Sequence, residues 1–370
     1  MRKLYKQDVI EILYGATLLG AGGGGSLALG LEMLDKTEKD GNKIELDLVD
    51  ISEIKDNEYG AMVAALGSPV AMLSEDKPIL GPDVVCAFKA FKTAYAGEGK
   101  AVNYLYSGEM GGGLNTVVPM LVAVLSDEYV DKRIKFLDVD SNGRAVPELN
   151  TTLAAANNFP PKPLGLGSLD GDEIIVYPVS DKAGENIART LCMNYGMRIG
   201  FSTWGMIKAD MEKFLDCGAV TRAQNVGKAI LAAKDGADIM AELRKAVEIK
   251  EFCRGTIKEL DIKQEGGFDY GTTVVEGTDG KIYNIDFKNE NLIIRDEAGK
   301  VIMTAPEGIG IIDLDNIEPL TNADTKEGMN ILVTMTPAHK NWWAEDAKPY
   351  AAWLPELRKI GLEGEQVRYK

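Results

Sequence analysis

A carboxylate set among glycines is the first feature of the chain that could do chemistry. Glu109 follows the apolar run 101–106 and precedes three glycines and then Asn115. Glycine has no side chain, so a ligand can approach the backbone amides closely while a neighbouring carboxylate takes a proton. The pattern favours Glu109 as a catalytic base and Asn115 as a substrate-binding amide. A loop with an incidental exposed glutamate is the alternative.

A second polar segment begins at the end of another apolar run. Asp138 and Asp140 are two residues apart, so on a strand both carboxylates would point to one face. Two such groups either bind a divalent cation or raise the pKa of one of them, which supplies an acid or a base. Arg144 follows as a candidate clamp for a substrate carboxylate, and Glu148 as a further catalytic residue. The structural alternative is that Asp138 caps a turn while Arg144 and Glu148 form an ion pair.

A glycine-rich string at residues 20–25 lies between two helical patterns, and Ser26 can cap the second helix. Bare backbone before a helix N-terminus suits an anion or a carbonyl oxygen. A helix rather than a strand precedes the string and no lysine follows it, so we expect no nucleotide there. A tight helix junction is the alternative to a ligand cradle. The candidate substrate-binding residues of the string are Gly22, Gly23, Gly24 and Gly25.

Weaker candidates lie elsewhere in the chain. Glu75 follows the apolar run 61–66, and Asn289 and Asn291 interrupt two strand patterns as a polar loop that could cover the first site. His339 lies beside tryptophans near the C-terminus and could move a proton. Each also has a structural explanation: a solvated surface for Glu75, a β-turn for the asparagines and an interface position for the histidine.

The elements that must position these residues alternate in the first part of the chain. Strand-like apolar runs and helical patterns follow one another over residues 44–137, which predicts an α/β fold with a mostly parallel sheet. Ligands bind at the carboxyl ends of such strands, so Glu75, Glu109 and the pair Asp138 and Asp140 are expected to converge on one rim.

The apolar period changes from helical to strand-like near residue 251. Short strand patterns separated by turn signals predict a smaller all-β, barrel-like or sandwich domain with its own core. The predicted domains are an α/β domain over 1–250, in which 1–168 is followed by a helical continuation over 169–250, a β-barrel-like domain over 251–340, and a C-terminal tail over 341–370 that packs back on the α/β domain.

Composition limits the classes of partner. The formal charge is −16, which argues against a nucleic acid or an anionic membrane. No apolar run reaches the length of a membrane span, and the first residues lack a signal-peptide core, so we expect a cytoplasmic protein. Cys86, Cys192, Cys217 and Cys253 show no metal-ligand spacing and are expected to be free thiols. A cysteine nucleophile stays open, although His339, the only histidine, is far away in sequence.

Taken in order, the motifs resemble a known family. They are Gly22 to Gly25, Glu109-x-Gly-Gly-x-x-Asn115, Asp138-x-Asp140-x-x-Gly143-Arg144-Ala145-x-Pro147-Glu148, Asn289-Glu290-Asn291 and Pro337-x-His339-x-x-Trp342. This combination spans essentially the whole chain and resembles the S-methyl-thiohydantoin desulfurase-like family, whose members often accompany hydantoinases and oxoprolinases. The resemblance implies a three-layer α/β domain plus a β-barrel-like domain.

The activity that the resemblance implies is removal of sulfur from an S-methylated thiohydantoin, giving a hydantoin. The ring carbon is electrophilic, so water activated by Glu109 or Asp140 could add there and expel methanethiol. A divalent metal held by Asp138, Asp140 and Glu148 could replace the free base. Hydrolysis of another cyclic amide, or a non-catalytic role beside a hydantoinase, stays open. The expected partner is a small-molecule substrate, with a homo-oligomer or a hydantoinase-type protein as further options.

Overall fold

The computed structural model describes residues 1–67, 82–129, 134–265 and 268–370, and has a mixed α/β architecture built on two large sheets. Glu75 lies outside the described residues. None of the described helices is long and apolar enough to cross a bilayer. These helices are α1 (Lys6–Leu19), α2 (Leu27–Lys39), α3 (Pro82–Gly97), α4 (Val117–Tyr129), α5 (Leu153–Ala156), α6 (Asp181–Asn194), α7 (Lys208–Phe214), α8 (Ala219–Lys234), α9 (Ile239–Ala246) and α10 (Leu354–Lys359). Short 3-10 helices occur at Ile51–Glu53, Leu149–Thr151, Lys340–Trp343 and Pro349–Trp353.

The first sheet has nine strands. They are β1 (Arg2–Tyr5), β2 (Glu45–Val49), β3 (Tyr59–Gly67), β4 (Val102–Ser107), β5 (Lys135–Asp140), β6 (Leu164–Gly167), β7 (Glu173–Val176), β8 (Arg198–Ile207) and β9 (Asp216–Cys217). Their order is β1-β2-β5-β4-β3-β8-β6-β7, and β9 pairs with β5. The centre of this sheet is parallel, since β2 pairs with β5, β5 with β4 and β4 with β3 in that sense. This centre is the strand and helix alternation that the sequence predicts.

The whole sheet, however, is mixed rather than mostly parallel. β1 pairs antiparallel with β2, β8 with β3, β6 with β8 and β7 with β6. The expected helical continuation over 169–250 contains α6 to α9, but β8 interrupts it. Nearly every residue of β8 is buried, so the strand shows no alternation of apolar and polar residues that could reveal it in the sequence.

The second sheet is antiparallel throughout its described pairs. Its eight strands are β10 (Lys250–Glu265), β11 (Phe268–Gly277), β12 (Ile282–Lys288), β13 (Glu290–Asp296), β14 (Val301–Thr304), β15 (Gly308–Asp313), β16 (Glu318–Leu320) and β17 (Asn330–Thr336). Their order is β14-β13-β12-β11-β10-β17-β15-β16. The predicted change to strand-like structure near residue 251 is confirmed, whereas closure into a barrel stays a prediction.

The C-terminal segment packs against both halves of the molecule. Trp342 and Trp353 are fully buried, and their rings meet edge to face at 5.6 Å. They share one apolar cluster with Leu153 of α5 and Leu292 of β13. The segment therefore buries its indoles where the second sheet meets the loops of the first.

Helices α1 and α8 cross at two glycines. A Cβ atom on Gly15 would lie 1.8 Å from the Ala223 carbonyl oxygen, and one on Gly227 would lie 1.7 Å from the Glu11 carbonyl oxygen. Real side chains do not approach backbone this closely, so the two helices can pack at this distance only because both positions lack a side chain. The crossing supports the helical layer beside the glycine-rich string.

We expect Gly227→Ala to destabilise the protein, because the new methyl group forces α1 and α8 apart. Overpacking of this kind costs about 1–3 kcal/mol, and displacement of backbone puts the variant at the upper end. Urea unfolding measures the effect. Gly97→Ala is the control, because a Cβ atom there meets nothing within 4 Å. Equal stability of the two variants would contradict the packing described here.

Candidate functional site

A cleft of about 470 Å³ lies where the first sheet meets the second. Its walls include apolar residues of β3 and β8, such as Met62, Leu66 and Trp204, together with polar loop residues. The remaining lining comes from the segments 22–26, 108–109, 114–115, 146–149 and 289–290, the loop 321–324, three residues of α6 (Glu185, Ala188 and Arg189), and Thr152 and Asp269. The two glycine-rich segments singled out in the sequence are therefore brought to one cavity.

The charged side chains that line the cleft are mostly acidic. Arg189 is the one positively charged residue among the described lining residues, and its guanidinium is paired with Glu185 at 2.7 Å. This distribution does not favour an anionic ligand such as a nucleoside phosphate. The acidic residues of the lining are Glu109, Glu148, Glu185, Asp269, Glu290 and Asp324.

The glycine-rich string at 22–25 packs directly on the second glycine-rich segment. The amides of Gly113 and Leu114 donate to the carbonyl oxygens of Gly25 and Gly24 at 3.0 and 3.1 Å. A Cβ atom on Gly24 would lie 2.4 Å from the Cα of Gly111, so this contact requires glycine. The amides of Gly24 and Gly25 have no acceptor within the described parts of the chain. Both residues line the cleft.

The predicted cap of α2 is confirmed, because the Ser26 hydroxyl accepts from the Leu29 amide at 3.3 Å. The string thus ends at the N-terminus of a helix, as the sequence predicts. The free amides of this terminus add positive partial charge at the wall of the cleft.

Glu109 lies half-buried in the cleft with both carboxylate oxygens in hydrogen bonds. Asn115 donates to Oε1 at 2.6 Å, and the Val146 amide donates to Oε2 at 2.7 Å. Burial raises the pKa of Glu109 to about 7, against the opposing effect of these two donors, and the nearby charge of Asp140 raises it further. A carboxylate that titrates near neutrality suits a general base.

Glu290, at the start of β13, is a second carboxyl of the cleft. Its side chain is 3% exposed, and within the described residues Oε2 has no hydrogen-bond partner. Gly23 makes room for it, since a Cβ atom there would lie 2.2 Å from Oε1. Burial and the charge of Glu109 raise the pKa of Glu290 well above its usual value. We missed this residue in the sequence, although it lies between the two predicted asparagines.

Three more polar atoms in the lining have no partner among the described residues. They are Nε1 of Trp204, Oδ1 of Asn115 and Oδ1 of Asn322. Unpaired buried polar groups cost free energy, so they mark places where a ligand would complete the hydrogen bonding. The set contains one donor and two acceptors, which suits a planar ring with both N–H and acceptor groups. Trp204 lies on the unpredicted strand β8, and no sequence motif marked it.

Of the two predicted asparagines of the second sheet, only Asn289 lines the cleft. It forms the tip of the β12–β13 turn at a φ of 56°, and its carbonyl accepts from Asn322 at 2.7 Å. Asn291 lies outside the lining, and its backbone amide donates to the Ala21 carbonyl at 2.8 Å. Asn291 therefore holds the glycine-rich string rather than facing the cavity.

Arg144 does not line the cleft. Its guanidinium donates to the carbonyl oxygens of Glu307 at 2.6 Å, Asn291 at 2.9 Å and Ala145 at 3.0 Å, and it lies 4.9 Å from the centre of the Trp353 ring. Burial lowers its pKa to about 10. The residue expected to clamp a substrate carboxylate thus ties the loop after β5 to the second sheet.

Asp138 and Asp140 bind backbone and hydroxyl groups beside the cleft. Both oxygens of Asp138 accept from Thr221, at the first turn of α8. Asp140 accepts from the amides of Asn142 and Gly143 at 2.8 and 2.6 Å, and burial raises its pKa to about 7. Neither aspartate lines the cleft. The structural explanation fits Asp138, and Asp140 shapes the turn that leads to Arg144.

Glu148 does line the cleft, but its partner is Lys288 rather than Arg144. The Lys288 ammonium is fully buried and contacts both Glu148 and, at 2.6 Å, Glu356. Burial lowers the pKa of Lys288, yet the two carboxylates outweigh it and the net shift is upward. Glu148 is therefore neutralised from behind by a cation of the second sheet.

The metal hypothesis does not fit these positions. The oxygens of Asp138 are taken by Thr221, and Glu148 is held by Lys288. Across the described ranges, no group of three His, Cys, Asp or Glu side chains is arranged to hold a metal ion. No step of the chemistry is therefore assigned to a metal.

His339 and the cysteines lie away from the cleft lining. The His339 ring faces Asp216 at 3.6 Å and caps the 3-10 helix that starts at Lys340, and burial lowers its pKa. Burial raises the pKa of all four thiols, to about 12 for Cys217 and Cys253. Such thiols are poor nucleophiles at neutral pH.

We expect Lys288→Met to destabilise the protein by about 3 kcal/mol, because it removes the buried cation shared by Glu148 and Glu356 and leaves Glu356 with only the half-exposed Lys359, at 2.8 Å. Urea unfolding at pH 7 checks the loss, and adding Glu356→Gln should restore part of it. Lys263→Met is the control, since its pair with Glu265 is exposed. A stability loss no larger than that of the control would contradict a structural role for the buried pair.

Comparison with known proteins agrees with the resemblance read from the motifs. Models of the S-Me-THD-like N-terminal domain and the S-Me-THD-like C-terminal domain match residues 7–178 and 179–352. The chain is also similar in fold to a protein from Chromobacterium violaceum known from an X-ray crystal structure, with a TM-score of 0.83, 23% identity and 100% coverage of both chains. No curated protein matches the sequence. Because the two domain models together span nearly all of it, the chain belongs to the S-Me-THD-like family.

Proposed function

We propose that the protein is a hydrolytic enzyme that acts on a hydantoin-like heterocycle. Most concretely, it removes methanethiol from an S-methyl thiohydantoin, the compound class to which the family name points. The proposal rests on the position of Glu109 at the wall of the cleft, where burial raises the pKa of its carboxyl to about 7. A base poised near neutrality is what activation of water requires.

The reaction begins with addition of water to the ring carbon that carries the S-methyl group, which is amidine-like and electrophilic. Glu109 takes a proton from the water as the water oxygen bonds to this carbon. The carbon–sulfur bond then breaks, methanethiol leaves and a carbonyl group forms on the ring. In this proposal the amides of Gly24 and Gly25, which line the cleft, bind the oxygen that gains negative charge.

The lining supports an uncharged or cationic ring as the substrate. Its acidic side chains disfavour anions, while Met62, Leu66 and Trp204 offer apolar surface to a flat ring. In this proposal the cleft lies between a three-layer α/β domain and a β-barrel-like domain, so substrate contacts come from both. The ligand is a small molecule, and the base is free rather than metal-bound.

The first test is methanethiol release from a panel of S-methyl thiohydantoins by the purified protein, with and without chelator. We expect release that survives chelation. Glu109→Gln should lower kcat by about 10²–10⁴-fold, because the base is lost. Asp140→Asn is the matched control: it keeps the oxygen that binds the Asn142 and Gly143 amides, so it should retain most of the activity.

Two results would redirect the assignment. Loss of activity in Asp140→Asn with full activity in Glu109→Gln would make Asp140 the base. No release from any compound would overturn the desulfurase proposal and would favour another cyclic amide as the substrate, or an accessory role beside a hydantoinase.

The pH dependence follows from the same base. A general base must be ionised, so kcat/KM should fall about tenfold per pH unit below a pKa of about 7. A pH profile of wild type and Asp140→Asn measures this. The limb near pH 7 should persist in Asp140→Asn, although Asp140 also titrates near 7 in the wild type. Disappearance of the limb in that variant would assign it to Asp140.

A further inference from the structure

Glu290 is a buried carboxyl that water activation by Glu109 leaves without a role. It reaches the cleft from the second sheet, whereas Glu109 comes from the first. Its Oε2 atom has no hydrogen-bond partner within the described residues, and the residue is only 3% exposed. A buried carboxylate without a partner is costly, whereas a protonated carboxyl has a hydrogen to donate.

The charged groups around Glu290 come from three elements. Glu109 repels its charge, while Arg144 from the loop after β5 and Lys288 on β12 attract it. Both cations have other partners: Arg144 donates to three carbonyl oxygens, and Lys288 bridges Glu148 and Glu356. They therefore compensate Glu290 only in part, and Glu109 and Glu290, each of which repels the charge of the other, are best satisfied with one of them protonated.

We propose that Glu290 is the catalytic acid of the cleft and protonates the ring nitrogen next to the carbon that Glu109-activated water attacks. This inference rests on the proposed function. It assigns the substrate to cyclic isothioureas and related amidine-like rings, in which a nitrogen beside the electrophilic carbon must gain a proton.

The proton balance closes over one turnover. Glu109 takes a proton from water as the oxygen bonds to the ring carbon, and Glu290 gives its proton to the ring nitrogen as the carbon–nitrogen double bond becomes single. The hydroxyl proton of this adduct then passes to Glu290 while the carbon–sulfur bond breaks with its electron pair on sulfur. Protonated Glu109 gives its proton to the thiolate. Both residues return to their starting states, and the products are a ring amide and methanethiol.

The test compares two substrates in wild type and Glu290→Gln. One is an S-methyl thiohydantoin, and the other is an analogue with both ring nitrogens beside the electrophilic carbon alkylated, so that it is a fixed cation and needs no proton. We expect Glu290→Gln to lower kcat about 10²–10⁴-fold on the first substrate and to leave it near wild type on the cation. Equal losses on both substrates, or no loss on either, would overturn the inference.

A second variant covers the case in which Glu290→Gln does not fold. Gly23→Ala places a methyl group against Oε1 and Cγ of Glu290 and moves the carboxyl without removing it. It should show the same selective loss. Glu307→Gln is the matched control, because this glutamate is also buried near Arg144 but lies outside the cleft lining, and the glutamine keeps one oxygen for the shorter of its two bonds, from the Ala338 amide, while giving up the 3.2 Å bond from the Tyr369 amide. Its activity should equal that of wild type on both substrates.

The outcomes separate the two proposals. If wild-type protein releases methanethiol but Glu290→Gln matches it on the neutral ring, only the role of Glu290 fails. If wild-type protein releases none from either substrate, the proposed function fails, and the catalytic acid fails with it.

Discussion

The arrangement of the cleft depends on the burial of one guanidinium. Arg144 is 2% exposed and donates to carbonyl oxygens of both halves of the molecule, one from its own loop and two from the second sheet. A buried charge without such partners would cost several kcal/mol. The three hydrogen bonds therefore fix the position of the loop after β5 against the second sheet. In this position the Val146 amide donates to Glu109, and Glu290 lies against Gly23.

The buried carboxyls of the cleft lower the stability of the folded protein. Glu109 and Glu290 both have raised pKa values because burial disfavours their charged forms. The folded state therefore holds each proton more tightly than the unfolded chain does. As the pH rises from the pKa of the carboxyl in the unfolded chain to its higher pKa in the folded protein, each group lowers the free energy of unfolding. Core packing elsewhere, such as the α1–α8 crossing at Gly15 and Gly227, must offset this cost.

Several polar residues near the cleft work as its scaffold. Asp138 holds the start of α8, Asp140 shapes the turn before Arg144, and Asn142 binds the Gly108 carbonyl at 3.1 Å. The Trp342 indole donates to the Asn142 carbonyl at 2.8 Å, which joins the C-terminal segment to the same turn. These contacts connect distant parts of the chain to the loop that carries the Val146 amide.

Local sequence determined the strands and turns of the second half, the central parallel strands and the Ser26 cap, because each depends on residues close together in the chain. It also marked the segments that meet at the cleft. Only the tertiary structure decided the role of each side chain. Whether Arg144 or Glu290 faces a ligand depends on which distant backbone groups satisfy it, and β8 was hidden because burial on both faces removes the alternation of polar residues. The partners of Arg144 and the contacts of Glu290 come from segments far away in the chain, so residue type and spacing do not reveal them.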